Sequence, residues 1–146
     1  HYAEIRNDEK VLHIGGLTGY LSVLISKLCK KIYVTDNDQE FVDKILKNFK
    51  NNGITNAEVL REEFSKGLKS QGPYDLIIID CPQYHFNLEL LSQVNVGGRV
   101  IYIEKINAEL SKAYKMIKYE DNYSKIFLFD VFSNFYLTKQ EEGFNF

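Results

Sequence analysis

The residues of this chain able to do chemistry fall just after its apolar runs. Gly15-Gly16-Leu17-Thr18-Gly19 follows the first run. Its glycines can turn tightly and let backbone approach a ligand beside the start of a helix, although an ordinary strand-to-helix turn would use them too. Asp36 closes the second run, 21 residues after Gly15. A carboxylate there can accept hydrogen bonds from both hydroxyls of an adenosine ribose. Its competing use is to cap the next helix, a task open equally to Asn37 and Asp38. Glu62 and Glu63 follow the third run and offer an acceptor for an adenine amino group, Glu63 being preferred, whereas exposed loop acids are commonly just solvated. Asp80 ends the fourth run, Tyr74-Asp75-Leu76-Ile77-Ile78-Ile79-Asp80, where it faces the cleft or serves as a cap or salt-bridge partner. His85 lies just beyond; a lone histidine near a helix start more often caps or faces solvent, and it receives no catalytic role.

These residues need a scaffold that brings strand ends together. Val11 to Ile14, Ile32 to Thr35, Ala57 to Leu60, Leu76 to Asp80 and Arg99 to Ile103 read as strands. Between the first two, Leu21, Leu24, Ile25 and Leu28 sit at i, i+3, i+4 and i+7, predicting a helix whose apolar stripe packs on the sheet. A second helix carries Val42, Ile45, Leu46 and Phe49, begins near Asn37 with Glu40 three residues on, and stops at Gly53. Leu88 and Leu91 suggest a short helix before an Asn95-Val96-Gly97-Gly98 turn, and Leu110, Ala113, Tyr114 and Ile117 define another helix. Alternating strands and helices predict an α/β fold, a doubly wound, mostly parallel sheet covered on both faces. Lys125 to Val131 and Phe135 to Lys139, separated by Phe132-Ser133-Asn134, predict a C-terminal antiparallel β-hairpin. One domain over 1–139 and a loose tail over 140–146 follow.

Composition narrows the classes. With 18 basic and 20 acidic residues the formal charge is −2, which provides no general positive field for nucleic acid or an anionic membrane. The longest apolar runs are far too short to span a bilayer. Cys29 and Cys81 are too few for a disulfide framework and suit a reducing cytoplasm. The chain starts with His1 rather than Met, as expected of a trimmed chain or of a fragment lacking an N-terminal segment.

The order of these motifs resembles the class I S-adenosylmethionine (SAM) methyltransferases, most closely the protein-L-isoaspartate O-methyltransferase family. Ile5-Arg6-Asn7-Asp8-Glu9-Lys10-Val11-Leu12-His13-Ile14-Gly15 is similar to that family's entry into its first strand, with Thr18-Gly19-Tyr20 in its loop. Asn56 to Gly67, Pro73 to Asp80, Leu90-Leu91-Ser92-Gln93 and Gly97-Gly98-Arg99-Val100-Ile101 are similar to its later motifs in order and spacing. The resemblance implies a Rossmann-like SAM fold in which His13, Gly15, Gly16, Gly19, Asp36, Glu63 and Asp80 line the cofactor site. It implies methyl transfer to the carboxylate of isoaspartyl residues in damaged proteins, a repair step, without a metal.

Two residues depart from the family pattern: Leu17 replaces the middle glycine of the loop, and His13 replaces an acid that helps orient the amino-acid end of SAM. The family also carries an N-terminal region with a substrate-contacting Ser or Thr, and this chain starts just upstream of the first strand. A second reading is therefore a methyltransferase fold that has lost catalysis and serves as a binding module. A third, an amino-group methyltransferase, has only the faint acid-Pro-aromatic echo in Asp80-Cys81-Pro82-Gln83-Tyr84, with the wrong spacing and without basic patches.

Overall fold

A computed structural model describes residues 1–132. Strand β1 (Lys10–Ile14) is buried almost throughout, which is why its residues are apolar at consecutive rather than alternate positions. It lies centrally, parallel to β2 (Lys31–Asp36) on one side and to β4 (Tyr74–Gln83) on the other. Adding β3 (Ala57–Arg61), β5 (Val94–Lys105), β6 (Leu110–Lys118) and β7 (Tyr123–Phe132) completes a seven-stranded sheet of order β3-β2-β1-β4-β5-β6-β7. The first five strands run parallel, whereas β6 is antiparallel to both β5 and β7. The expected mostly parallel α/β architecture is present, and its strand order reverses at β1, next to the glycine loop.

Helices α1 (Tyr20–Ser26) and α2 (Gln39–Asn51) cover one face. Their Val23, Ile25, Ile45 and Phe49 pack with Val11, Ile32, Val34 and Leu76. On the other face the expected helical cover is replaced by short 3₁₀ turns, from which Phe64, Leu68, Leu90 and Leu91 reach the sheet. Helix α2 starts one residue later than the Asn37–Glu40 spacing suggests, with Asp38 as its cap, whose carboxylate accepts the Glu40 N–H, and Gly53, at a φ of 63°, ends the helix in a conformation that glycine adopts without penalty.

Three expectations are corrected. The stripe assigned to α1 does not face the sheet: Leu21, Leu24 and Leu28 are 38%, 43% and 54% exposed, while Ser22, Val23, Ile25 and Ser26 are buried. Leucine count misled there, because β1 places His13 under the helix and a hydroxyl is needed above it. Leu46 on α2 is likewise exposed. The helix expected over Leu110 to Ile117 is strand β6, which pairs with β5 from Arg99↔Ile117 to Lys105↔Ser111. Leu110 and Tyr114 share one parity and Ala113 and Ile117 the other, so apolar residues on two partly covered faces of a strand interleave into a helical spacing. The turn before it is held by Asn107 Oδ1, which accepts the N–H groups of Glu109 and Leu110, both at 2.9 Å. Finally, Asn95 to Gly98 belong to the irregular start of β5, between the Tyr74↔Val94 and Leu76↔Arg99 pairs. Of the expected C-terminal hairpin, its first run lies in β7; Phe135 to Lys139 and the tail over 140–146 lie outside the described residues.

The segment before β1 is tied to β5. Arg99 makes two hydrogen bonds to the buried Glu9 carboxylate, at 2.8 and 3.0 Å, and donates to the carbonyls of Ala3 and Glu4. Glu9 also accepts the Arg6 N–H at 2.9 Å. Burial pushes its carboxyl up, but Arg99, the Arg6 N–H and the neighbouring positive charges outweigh that and leave it below its ordinary range.

Candidate functional site

The site is built where β1 and β2 end. Gly15 leaves β1 at a φ of 83° and donates its N–H to the Thr35 carbonyl at 2.8 Å, so the loop starts by crossing to β2. Gly16 has no room for a side chain: an added Cβ would lie 2.5 Å from Val34 Cγ1 and 2.8 Å from Ile45 Cδ1. Gly19, at a φ of 84°, brings α1 against α2, where an added Cβ would lie 3.1 Å from the Ile45 Cα. The Asn48 amide donates to the Thr18 carbonyl and fastens the loop to α2 from outside. Gly16→Ala is expected to destabilise the fold by about 1–3 kcal/mol, the usual cost of overpacking a filled core. A denaturation midpoint equal to that of the wild type would refute this packing.

Asp36 is wholly buried, and its carboxylate faces the loop. One oxygen accepts the Leu17 N–H at 3.2 Å and the other the Asp38 N–H at 3.0 Å. Burial pushes its carboxyl above the ordinary range, and these N–H groups pull it partly back. The capping alternative falls to Asp38, which leaves Asp36 bound to the glycine loop. Leu17 holds a left-handed φ of 51°, unusual for a branched residue, at the position where its N–H meets Asp36.

His13 and Asp80 meet across β1 and β4. His13 is fully buried; its Nδ1 lies 2.8 Å from Ser22 Oγ, and its Nε2 lies 3.6 Å from Asp80 Oδ2. The Asp80 side chain is 34% exposed. Six of the seven expected residues thus line two touching groups, one joining Gly15, Gly16, Gly19 and Asp36 and the other joining His13 and Asp80. Glu63 stands apart: it is exposed on the loop after β3, with Lys66 Nζ at 3.5 Å. Sequence reading missed Ser22; an inward-facing histidine that needs a polar partner was the available signal. It also missed the Leu17 N–H, since a backbone donor leaves no mark in residue type. Among the described residues, no three His, Cys, Asp or Glu side chains are grouped to hold a metal ion.

Residues 1–137 match the family model for protein-L-isoaspartate(D-aspartate) O-methyltransferase. A protein-L-isoaspartate O-methyltransferase of Methanosarcina mazei is 33% identical over 116 residues, covering 77% of this chain and 48% of the relative. One from Methanoculleus marisnigri is 28% identical over 100 residues, covering 68% and 46%. The chain spans about half the length of the curated relatives it matches. A solved protein-L-isoaspartate O-methyltransferase superposes with a TM-score of 0.81 at 21% identity, over 91% of this chain and 45% of that one. A Plasmodium falciparum structure assigned to the same enzyme, in complex with S-adenosyl-L-homocysteine, gives 0.74 at 19% identity, over 92% and 67%.

Proposed function

Because the chain belongs to the protein-L-isoaspartate(D-aspartate) O-methyltransferase family, we propose that it binds SAM and supports methyl transfer to the carboxylate of isoaspartyl residues in protein substrates. The observation that carries this reading is the joining of the glycine loop to Asp36 at the sheet's reversal point, where ligands bind in open α/β sheets. The residues present suit the cofactor. Asp36 offers an ionisable acceptor for ribose hydroxyls once the Leu17 N–H yields, and Gly15 and Gly16 offer close backbone approach. This reading assigns the adenine amino group to Glu63, on the loop after β3, and the amino-acid end to His13 with Asp80. When bound, SAM supplies a methyl group on a positively charged sulfur.

The acceptor carboxylate is ionised at neutral pH and already nucleophilic, so this reading assigns no general base. The chain's task is to fix donor and acceptor in line and to keep water out. Cys29 and Cys81, both buried and neither in a disulfide among the described residues, suit a reducing cytoplasm.

Titrating the folded chain with SAM by calorimetry tests the first requirement; saturable binding is expected. A folded chain that takes up no SAM sinks the enzymatic reading. Binding without methyl transfer to an isoaspartyl peptide leaves the acceptor assignment wrong. The second reading, a non-catalytic module, draws on the complete burial of Asp36 beneath Leu17 and on the exchange of an acid for His13. The same titration decides between them.

A further inference from the structure

His13 is half satisfied. Its Nδ1 meets Ser22 Oγ, while its Nε2, buried without any exposure, has no hydrogen-bond partner among the described residues. Such a nitrogen is uncommon because it has given up water for nothing. It points at Asp80, whose Oδ2 at 3.6 Å is just beyond hydrogen-bond range and whose partly exposed side chain has room to adjust.

The strand order says what that carboxylate faces. β4 lies on the opposite side of β1 from β2. With an adenosine ribose held by Asp36 at the end of β2, the rest of the ligand runs over the end of β1 toward β4. Register places Ile14 beside Ile79, so Gly15 and Asp80 stand just past the last β1–β4 pair, Asp80 still within β4. A Cβ on Gly15 would lie 3.6 Å from the Asp80 carbonyl carbon. The neighbouring carboxylates have other work: Asp36 is assigned to the ribose, and Glu104 on β5 is paired with Lys125 at 3.0 Å. Asp80 is left as the acid beside the loop that is partly open to solvent and, among the described residues, holds no full hydrogen bond.

Resting on the cofactor reading above, we infer that Asp80 receives the ammonium group of the cofactor's amino-acid end and that His13 is the residue that positions it. The Ser22 hydroxyl donates to His13 Nδ1, which sets the tautomer and leaves Nε2–H to hold one Asp80 oxygen while the other faces the ligand. The negative charge that meets the ammonium thus comes from β4, and the β1 residue at position 13 acts through it.

Two ligands separate this role from a general weakening of the site. S-adenosylhomocysteine carries the amino-acid end; 5′-methylthioadenosine has the same adenosine and sulfur without it. Asp80→Asn is expected to weaken the first by roughly ten- to a hundredfold, the value of a hydrogen bond between charged groups, and to leave the second unchanged in calorimetric titration. His13→Leu is expected to weaken the first in the same selective manner, and His13→Gln, which keeps an N–H at similar reach, to restore most of it. Equal loss for both ligands in Asp80→Asn, or loss for neither, overturns the assignment of Asp80. Matching behaviour of His13→Leu and His13→Gln reduces His13 to packing and overturns its positioning role. A wild type that binds methylthioadenosine but not S-adenosylhomocysteine refutes this inference alone, whereas one that binds neither brings down the cofactor reading as well. Thermal melts of each variant separate lost binding from lost fold.

Discussion

Asp36→Ala is expected to weaken binding of SAM, S-adenosylhomocysteine and methylthioadenosine alike, by about a hundredfold or more. The proposed contact is two ribose hydroxyls donating to one ionised carboxylate, and each hydrogen bond to a charged group contributes about 1.5–3 kcal/mol; two of them correspond to at least that ratio of dissociation constants. The uniform loss distinguishes Asp36 from Asp80, whose effect is confined to ligands with an amino-acid end. Asp36 also accepts the N–H groups of Leu17 and Asp38, so alanine leaves two backbone donors without their acceptor and loosens the loop. Asp36→Asn is the isosteric control: it keeps an acceptor oxygen for one of them while removing the charge. An Asp36→Ala protein that folds and binds within threefold of wild type would show that the ribose is held elsewhere.

The largest effect on stability is expected far from the site. Arg99→Met removes the guanidinium that makes two hydrogen bonds to Glu9 and also holds the carbonyls of Ala3 and Glu4. Glu9 is then a buried carboxylate that has lost its main counter-charge, and removing one partner of a buried pair costs about 3–5 kcal/mol. For a chain of this size that lowers the melting temperature by on the order of 10 °C. Glu9→Gln in the Arg99→Met background is expected to recover part of the loss, because it removes the stranded charge. The pH dependence has a definite sign. The Glu9 carboxyl is held below its ordinary range in the folded state, so its contribution is present above the ordinary carboxylate range and is lost as pH falls through the lower folded value. Wild type should therefore lose stability on acidification more steeply than Arg99→Met. Denaturant titrations across that range measure both effects; an Arg99→Met protein within about 1 kcal/mol of wild type, well under the cost of stranding a buried charge, contradicts the account.

The sequence by itself determined the central sheet and the places where chemistry sits. Strands β1, β2 and β4 are covered on both faces, so apolar residues dominate them at consecutive positions, and the end of each apolar run is where a polar or glycine residue becomes useful. That is why Gly15, Asp36 and Asp80 are legible without coordinates. The start of α2 to within one residue, with Asn37 and Asp38 both open as caps, and its stop at Gly53 were legible for a related reason: they are set by local backbone geometry, which acts over a few residues.

Tertiary structure decided what depends on partners distant in sequence. Whether Leu110 to Ile117 forms a helix or a strand turned on the availability of an edge at β5, since its spacing satisfies either when both strand faces are partly covered. Which side of α1 is buried was settled by His13 beneath it, which takes Ser22 as its partner and leaves three leucines outside. The approach of His13 Nε2 to Asp80, and the Leu17 N–H on Asp36, come from strand register and a turn in the loop. The first needs two chain segments 67 residues apart (80 − 13) to lie side by side, and the second uses a backbone donor that every residue but proline carries. Residue type therefore announces where the glycine loop and its acids lie, while only the packed sheet shows which of them touch.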